Sequence, residues 1–243
     1  MSAAAARPWP APRTPWVLRM RWHELCFLHW KVDRDALRAL LPPALPLDTF
    51  EGEAWVGVVP FRMTDVGPRG TPHVRRISDF PELNVRTYVT LDGKPGVWFF
   101  SLDATQPLAV RAARSLFALP YFDARIGFAH DDDWVEYDSV RTHRDAPAAE
   151  LRVRYRPVGV AAQAAAGSLE EFLTARYCLY ASRRGRILRQ EIDHPPWEIQ
   201  PAEVELDYCS MTAQVGLDLP ADRPLCHYAA LTDAVAWLPH RCG

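Results

Sequence analysis

Apolar and polar residues alternate along much of the chain with the two-residue period of β-strands. The longest such run covers residues 16–32 and is rich in aromatic side chains. The same reading predicts further strands at residues 54–63, 82–91, 97–102, 122–128, 134–140, 151–156, 177–182, 187–192 and 204–208. The tail after residue 208 has weak periodicity, so the pattern assigns no element there.

Three short helices are predicted between the strands. The first begins after Asp33, an N-cap residue, and ends at Pro42. Pro107 favours the first turn of a second helix, and Ser168 with Glu171 forms the capping box of a third. Because strands dominate and helices do not alternate with them, we expect an antiparallel α+β barrel or sandwich rather than a Rossmann sheet.

The domain organisation follows from composition. Residues 1–15 are rich in Ala, Pro and Arg and lack the apolar core of a signal peptide, so we expect a disordered leader. Residues 16–243 contain no linker and are expected to form a single β-rich domain. No run approaches the ~18 apolar residues of a membrane span, and the net charge of −2 predicts no bulk attraction to nucleic acid or membranes.

Cysteine usage and motifs narrow the chemistry further. The five cysteines are odd in number and show no C-x-x-C spacing, which favours free thiols in a reducing cytoplasm over disulfides or a zinc site. The chain also lacks a P-loop, a dinucleotide fingerprint and a histidine metal motif. We therefore expect no metal and no cofactor. Asp193 and His194, before a rigid Pro-Pro turn, form a candidate catalytic pair.

One face of the strand at residues 82–91 is unexpectedly polar. It carries Glu82, Asn84, Arg86, Tyr88 and Thr90, whereas the other face is a core face. The polar row either meets solvent or lines a cavity. The neighbouring strand at residues 97–102 is apolar on both faces and is therefore covered on both sides, which favours the cavity. A buried Arg86 needs a carboxylate, from Glu82 or from a ligand.

Several stretches together resemble the YqjF-like family of uncharacterised bacterial proteins: residues 29–32 (HWKV), 54–61 (AWVGVVPF), 80–89 (FPELNVRTYV), 96–103 (GVWFFSLD), 119–122 (LPYF) and 176–180 (RYCLY). The resemblance runs from about residue 22 to residue 208, and the matching stretches are specific when they are taken together. More distantly, the family is similar to the acetoacetate decarboxylase fold. The resemblance implies an α+β, β-dominated fold with an antiparallel, cone-shaped, barrel-like sheet, a few short helices and a central pocket.

The resemblance also bears on catalysis. In the decarboxylases a lysine that follows a helix and a proline forms a Schiff base, and a second lysine beside it lowers its pKa. The matching positions here are Tyr121 and Phe122. The two lysines of the chain, Lys31 and Lys94, fall elsewhere, and the other 26 basic residues are arginines, which cannot act as neutral amines. We therefore expect no lysine-dependent decarboxylation.

Two functional hypotheses remain, beside a purely structural role. In the first, the chain binds a small acidic or carbonyl-containing molecule; the expected binding residues are Glu82, Asn84, Arg86, Trp98, Tyr121 and His29. In the second, the chain is an enzyme in which Glu82 or Tyr121 is the general acid or base and Arg86 the electrostatic clamp. A raised Glu82 pKa without an Arg86 contact favours the enzyme, and a tight Glu82–Arg86 pair favours binding. The oligomeric state stays open, a homo-oligomer included.

His29 enters the binding set as a residue at the end of the first strand, where it could line the mouth of the pocket. The alternative for this histidine is a hydrogen bond to a backbone carbonyl.

Overall fold

A computed structural model of the chain describes residues 7–242. Within these residues the chain forms thirteen strands: β1 (Leu18–Val32), β2 (Ala54–Pro68), β3 (Phe80–Leu91), β4 (Lys94–Ala104), β5 (Tyr121–Asp131), β6 (Trp134–Arg141), β7 (Glu150–Pro157), β8 (Ala162–Gln163), β9 (Cys178–Arg183), β10 (Arg186–Asp193), β11 (Glu198–Cys209), β12 (Leu225–Ala236) and β13 (His240–Arg241). The predicted strands are all present, several of them longer than predicted.

The helices are short: α1 (Arg34–Ala39), α2 (Arg75–Ser78), α3 (Pro107–Ala112), α4 (Leu169–Thr174), a π-helical turn at Ala113–Phe117 and a 3-10 turn at Ala213–Val215. The predicted caps are confirmed, because the Asp33 side chain accepts from the amide of Ala36 and the Ser168 side chain from that of Glu171. None of the helices within residues 7–242 has the length and apolar character that crossing a membrane requires.

The strands close into two rings that share β12, β1, β2, β3 and β4. The smaller ring has seven strands and returns from β4 through β9 and β10 to β12. The larger returns through β5, β6, β7 and β11. Pairing is antiparallel except where β4 meets β5 and β9. Closure leaves few exposed strand edges, and the expected β-dominated α+β fold is confirmed.

Strand β12 lies in the tail where the pattern predicted no element. It pairs with β1 from Leu18–Ala236 to His29–Leu225. Its sequence places two alanines beside each other and does not alternate, so its position depends on pairing with a distant strand rather than on local pattern.

Residues 1–6 of the expected leader lie outside the described part of the chain. Residues 7–15 form neither helix nor strand, but they contact the domain. Arg7 pairs with Glu191, and the indole of Trp9 donates to the same carboxylate across 2.8 Å. The indole of Trp237 donates to the carbonyl of Thr14 across 2.7 Å. The single-domain division stays a prediction.

Candidate functional site

A cavity of about 200 Å³ is lined by side chains from all seven strands of the smaller ring, together with α3 and the π-helical turn. Most of the wall is apolar. One side belongs to a buried cluster that includes Phe61, Met63 and Phe80, and the other to a cluster that includes Val97 and Leu102. The cavity therefore lies between two parts of the core, and its few polar side chains stand out.

The polar row of β3 faces this cavity. Glu82, Asn84 and Arg86 all line it, as the two-residue period predicts, and the side chains of Glu82 and Asn84 are buried. Further along the same face, Tyr88 is fully buried and lies outside the lining, with its hydroxyl donating to the carbonyl of Leu173 across 2.8 Å.

Tyr121 lies at the start of β5 and is also part of the wall. Its hydroxyl donates to Oε2 of Glu82 across 2.6 Å. Burial raises the pKa of Glu82 to about 8; the hydrogen bond from Tyr121 opposes this rise, and the negative charge of Asp103 adds to it. Glu82 is therefore largely protonated at neutral pH. Asp103 itself is held by Arg141 in a buried ion pair of 2.6 Å.

The guanidinium of Arg86 has no carboxylate partner among residues 7–242. One hydrogen bond is formed, from Nη2 to the carbonyl of Leu173 at 3.2 Å, and Nε is buried without a partner in that range. The cation stacks on the rings of Phe27 and Tyr88, at 5.2 and 5.9 Å from their centroids. Arg86 and Glu82 thus line the same cavity without forming an ion pair. Together with the raised pKa of Glu82, this is the combination that the sequence analysis gave as favouring the enzyme over the binding protein.

A second guanidinium, that of Arg176, lines the cavity and was missed by the sequence reading. It bonds to Asp48 Oδ2 at 2.6 Å and lies over the rings of Phe172 and Tyr88, 4.2 and 4.8 Å from their centroids. Burial lowers the pKa of Arg176, and Asp48 opposes that shift. The sequence feature that could have pointed to Arg176 is the RYCLY stretch at residues 176–180, which begins with this arginine.

The placement of Trp98 in the wall was wrong. Asn84 pairs with Leu102, but Arg86 pairs with Phe99, because a bulge at Phe100 adds one residue to β4. The extra residue exchanges the two faces of β4 beyond it, so Phe99 lines the cavity. Trp98 instead packs on the opposite face against a separate core cluster.

His29 does not line the cavity either. It is 1% exposed, and its Nε2 lies 2.6 Å from the hydroxyl of Tyr88. Because that hydroxyl donates its one proton to Leu173, Nε2 carries the proton of the imidazole and donates to Tyr88. Gly57, opposite His29 on β2, leaves room for the ring, since a Cβ there would lie 3.0 Å from the imidazole. The histidine therefore lies outside the cavity lining and holds the hydroxyl of Tyr88 by a hydrogen bond.

Neither lysine lies in the lining. Lys31 is exposed and pairs with Glu53 at 3.1 Å, and Lys94 lies 3.5 Å from Glu191. His194 does line the cavity, but its Nδ1 bonds to the carbonyl of Pro195 at 2.7 Å. Within the described residues, His194 thus bonds to backbone carbonyls and forms no hydrogen bond with Asp193, its partner in the candidate catalytic pair. No group of three or more His, Cys, Asp or Glu side chains within residues 7–242 is arranged to hold a metal ion.

The chain is similar to known proteins over most of its length. The sequence model of the family DUF2071, described as an uncharacterized conserved protein, matches residues 19–233. The uncharacterized protein YqjF of Bacillus subtilis (strain 168) is 42% identical over 222 residues, which is 91% of each chain.

Two solved structures show the same fold. An acetoacetate decarboxylase superposes with a TM-score of 0.65 and 18% identity, covering 95% of this chain and 90% of its own. The enduracididine biosynthesis enzyme MppR, complexed with pyruvate, superposes with a TM-score of 0.63 and 12% identity, covering 94% of this chain and 91% of its own. At these identities the likeness concerns the fold.

Proposed function

The chain belongs to the DUF2071 family of uncharacterized conserved proteins, and we propose that it binds a small acidic or carbonyl-containing molecule in the cavity inside the smaller ring. Arg86 is the anchor, and Tyr121, Glu82 and Asn84 supply hydrogen bonds beside it. No Schiff base forms, because neither Lys31 nor Lys94 lines the cavity.

The observation that carries the proposal is that the guanidinium of Arg86 has no carboxylate partner in the described part of the chain, residues 7–242. A partly buried cation without a carboxylate is costly, and a bound anion offsets that cost with charge-assisted hydrogen bonds. Glu82 does not supply the anion, since its carboxyl is engaged by Tyr121 and its pKa lies at about 8. A bound ligand would therefore supply the negative charge that pairs with Arg86. A likeness in fold to a protein that holds pyruvate supports a ligand of this size class.

Native mass spectrometry of the purified full chain with and without added pyruvate tests the anchor. The wild type is expected to carry one pyruvate, and Arg86→Gln is expected to lose it. Arg125→Gln is the matched control, because Arg125 is exposed on β5 and the charge change is the same. Equal pyruvate loading of the three proteins would remove Arg86 as the anchor.

Borohydride reduction of the same mixtures tests the Schiff base. We expect no increase in covalent mass, because neither lysine of the chain lines the cavity. A stable pyruvyl adduct of the wild type that maps to Lys31 or Lys94 would contradict this part of the proposal.

A second candidate is acid–base catalysis by Glu82, favoured by its raised pKa and by the missing contact with Arg86. A carboxyl group with a pKa near the working pH both takes and returns a proton. With the carboxylate of a 2-oxo acid on Arg86, Glu82 would take a proton from the carbon next to the ketone and return one from solvent. Proton NMR of pyruvate in deuterated water follows this exchange. Catalysed loss of the methyl signal that Glu82→Gln abolishes supports the enzyme, and equal rates with both proteins exclude Glu82.

A further inference from the structure

The cavity has a polar inner end and an apolar outer end. Glu82 and Asn84 are 3% and 5% exposed and lie at the inner end. The half-buried lining residues at the beginning of β1, at the end of β2 and in the α3 region are instead apolar: Leu18, Met20, Trp22, Val66, Ala109 and Phe117. Arg86 and Tyr121 are the half-buried polar residues of the lining. A ligand that enters past the apolar residues reaches the polar groups last.

Among residues 7–242, the lining of the cavity offers one positive charge that has no carboxylate partner. Arg86 and Arg176 are the two arginines of the lining, and Arg176 is already paired with Asp48 at 2.6 Å. Glu82 carries little negative charge at neutral pH because burial raises its pKa to about 8. Both guanidinium groups lie within 6 Å of the ring centroid of Tyr88, so they share one local environment. One anionic group is therefore enough to balance the positive charge of this environment.

We propose that the ligand is a monocarboxylate with an apolar body, held with its carboxylate on Arg86 and its body directed outward along Met20 and Ala109. This inference rests on the proposed function and narrows its ligand class. A second carboxylate would have to lie among apolar side chains with no cation to receive it, which is costly. Short dicarboxylates, whose second carboxylate would stay inside the cavity, and phosphate esters are therefore excluded from the site.

The size of the cavity sets the length of the body. An apolar cavity of about 150 Å³ accommodates a benzene ring. The cavity of about 200 Å³ therefore accommodates a carboxylate together with a single ring or a short hydrocarbon chain. Longer chains extend through the apolar outer end.

Calorimetric titration of the full-length protein at pH 7 with butanoate, hexanoate and hexanedioate tests the inference. Each added methylene that becomes buried is expected to tighten binding about fourfold, so hexanoate binds more than tenfold tighter than butanoate. Hexanedioate, which has the same number of carbons as hexanoate, is expected to bind more weakly than butanoate.

Two variants separate the two ends of the ligand. Ala109→Leu fills the outer end and is expected to weaken hexanoate at least tenfold while leaving butanoate within about twofold of the wild type. Ala129→Leu, at an exposed site on β5, is the matched control and is expected to change neither. Arg86→Gln is expected to weaken both acids by the same factor.

The outcomes distinguish this inference from the proposed function. Equal affinities for butanoate and hexanoate, or a preference for hexanedioate, would overturn the inference, and the anchor would still stand if Arg86→Gln weakened every acid. If no carboxylate, pyruvate included, bound the wild type, the proposed function would fail and the inference with it.

Discussion

The hydroxyl of Tyr121 lies 2.6 Å from Oε2 of Glu82 and links β5 to β3 across the cavity wall. Tyr121 pairs with Leu102 of β4, and Leu102 pairs with Asn84 on the other side. The phenol therefore lies beside the polar row, at the position where the resemblance to the decarboxylases expects a lysine. A neutral donor at this place hydrogen-bonds Glu82 without adding a positive charge that would favour its ionised form.

Glu82→Gln is expected to change how stability depends on pH. The pKa of Glu82 rises from its usual 4.5 to about 8 on folding, so between these values the folded protein keeps a proton that the unfolded chain has lost. The wild type therefore loses unfolding free energy as pH rises through this window, by up to about 1.4 kcal/mol per pH unit. Urea unfolding at pH 5 and pH 9 measures this effect. The unfolding free energy of the variant, relative to that of the wild type, should be higher at pH 9 than at pH 5. The control Glu136→Gln, at an exposed site, should show the same dependence of unfolding free energy on pH as the wild type. The same result for Glu82→Gln would refute the raised pKa of Glu82.

Tyr121→Phe removes the donor that lowers the pKa of Glu82. We expect this pKa to rise further, because the ionised carboxylate loses its hydrogen bond. Carbon-13 NMR of the Glu82 carboxyl, assigned by comparison with Glu82→Gln, measures the midpoint directly. The variant should also lose about 1–3 kcal/mol of unfolding free energy. An unchanged or lowered midpoint would show that the hydroxyl does not act on Glu82.

Arg141→Met is expected to be strongly destabilising. It would leave Asp103 buried without its partner of 2.6 Å, a change that typically costs about 3–5 kcal/mol. Combining it with Asp103→Asn removes the unpaired charge and should recover part of the loss. Urea denaturation of the two single variants and the double variant measures the coupling, and strictly additive losses would argue against the pair.

Gly96→Ala is expected to destabilise the contact between β4 and β9. A Cβ at Gly96 would lie 2.6 Å from the carbonyl oxygen of Cys178 and 2.7 Å from its Sγ, so the two strands would have to separate. Overpacking of this kind costs about 1–3 kcal/mol. Gly127→Ala, whose Cβ would meet nothing nearer than 3.8 Å, is the matched control. Equal thermal unfolding midpoints for the two variants would contradict the close approach.

The sequence predicted those features of the site that depend on local periodicity or on a motif. The row of Glu82, Asn84 and Arg86 follows from the strand period, and Tyr121 follows from the LPYF stretch. Trp98 was misplaced because one extra residue in β4 exchanges its faces, and alternation within a single strand does not reveal a bulge that is defined by the partner strand.

Features that depend on distant parts of the chain were not predictable. Arg176 precedes a strand, and its local sequence does not indicate that Asp48, more than a hundred residues away, is its partner. His29 similarly reads as a residue at the mouth until Tyr88 is placed 2.6 Å from its ring. The surroundings of Arg176 and His29 are determined by residues far away in the sequence, and local periodicity does not reveal such partners.

A crystal structure of the protein grown with saturating hexanoate tests whether Arg86 anchors the ligand. We expect the carboxylate within hydrogen-bond distance of the Arg86 guanidinium, close to Tyr121 and Asn84, with the hydrocarbon chain directed toward Met20. Hexanoate bound elsewhere while the cavity holds no carboxylate, or bound in the cavity with its carboxylate turned away from Arg86, would contradict the role of Arg86 as the anchor.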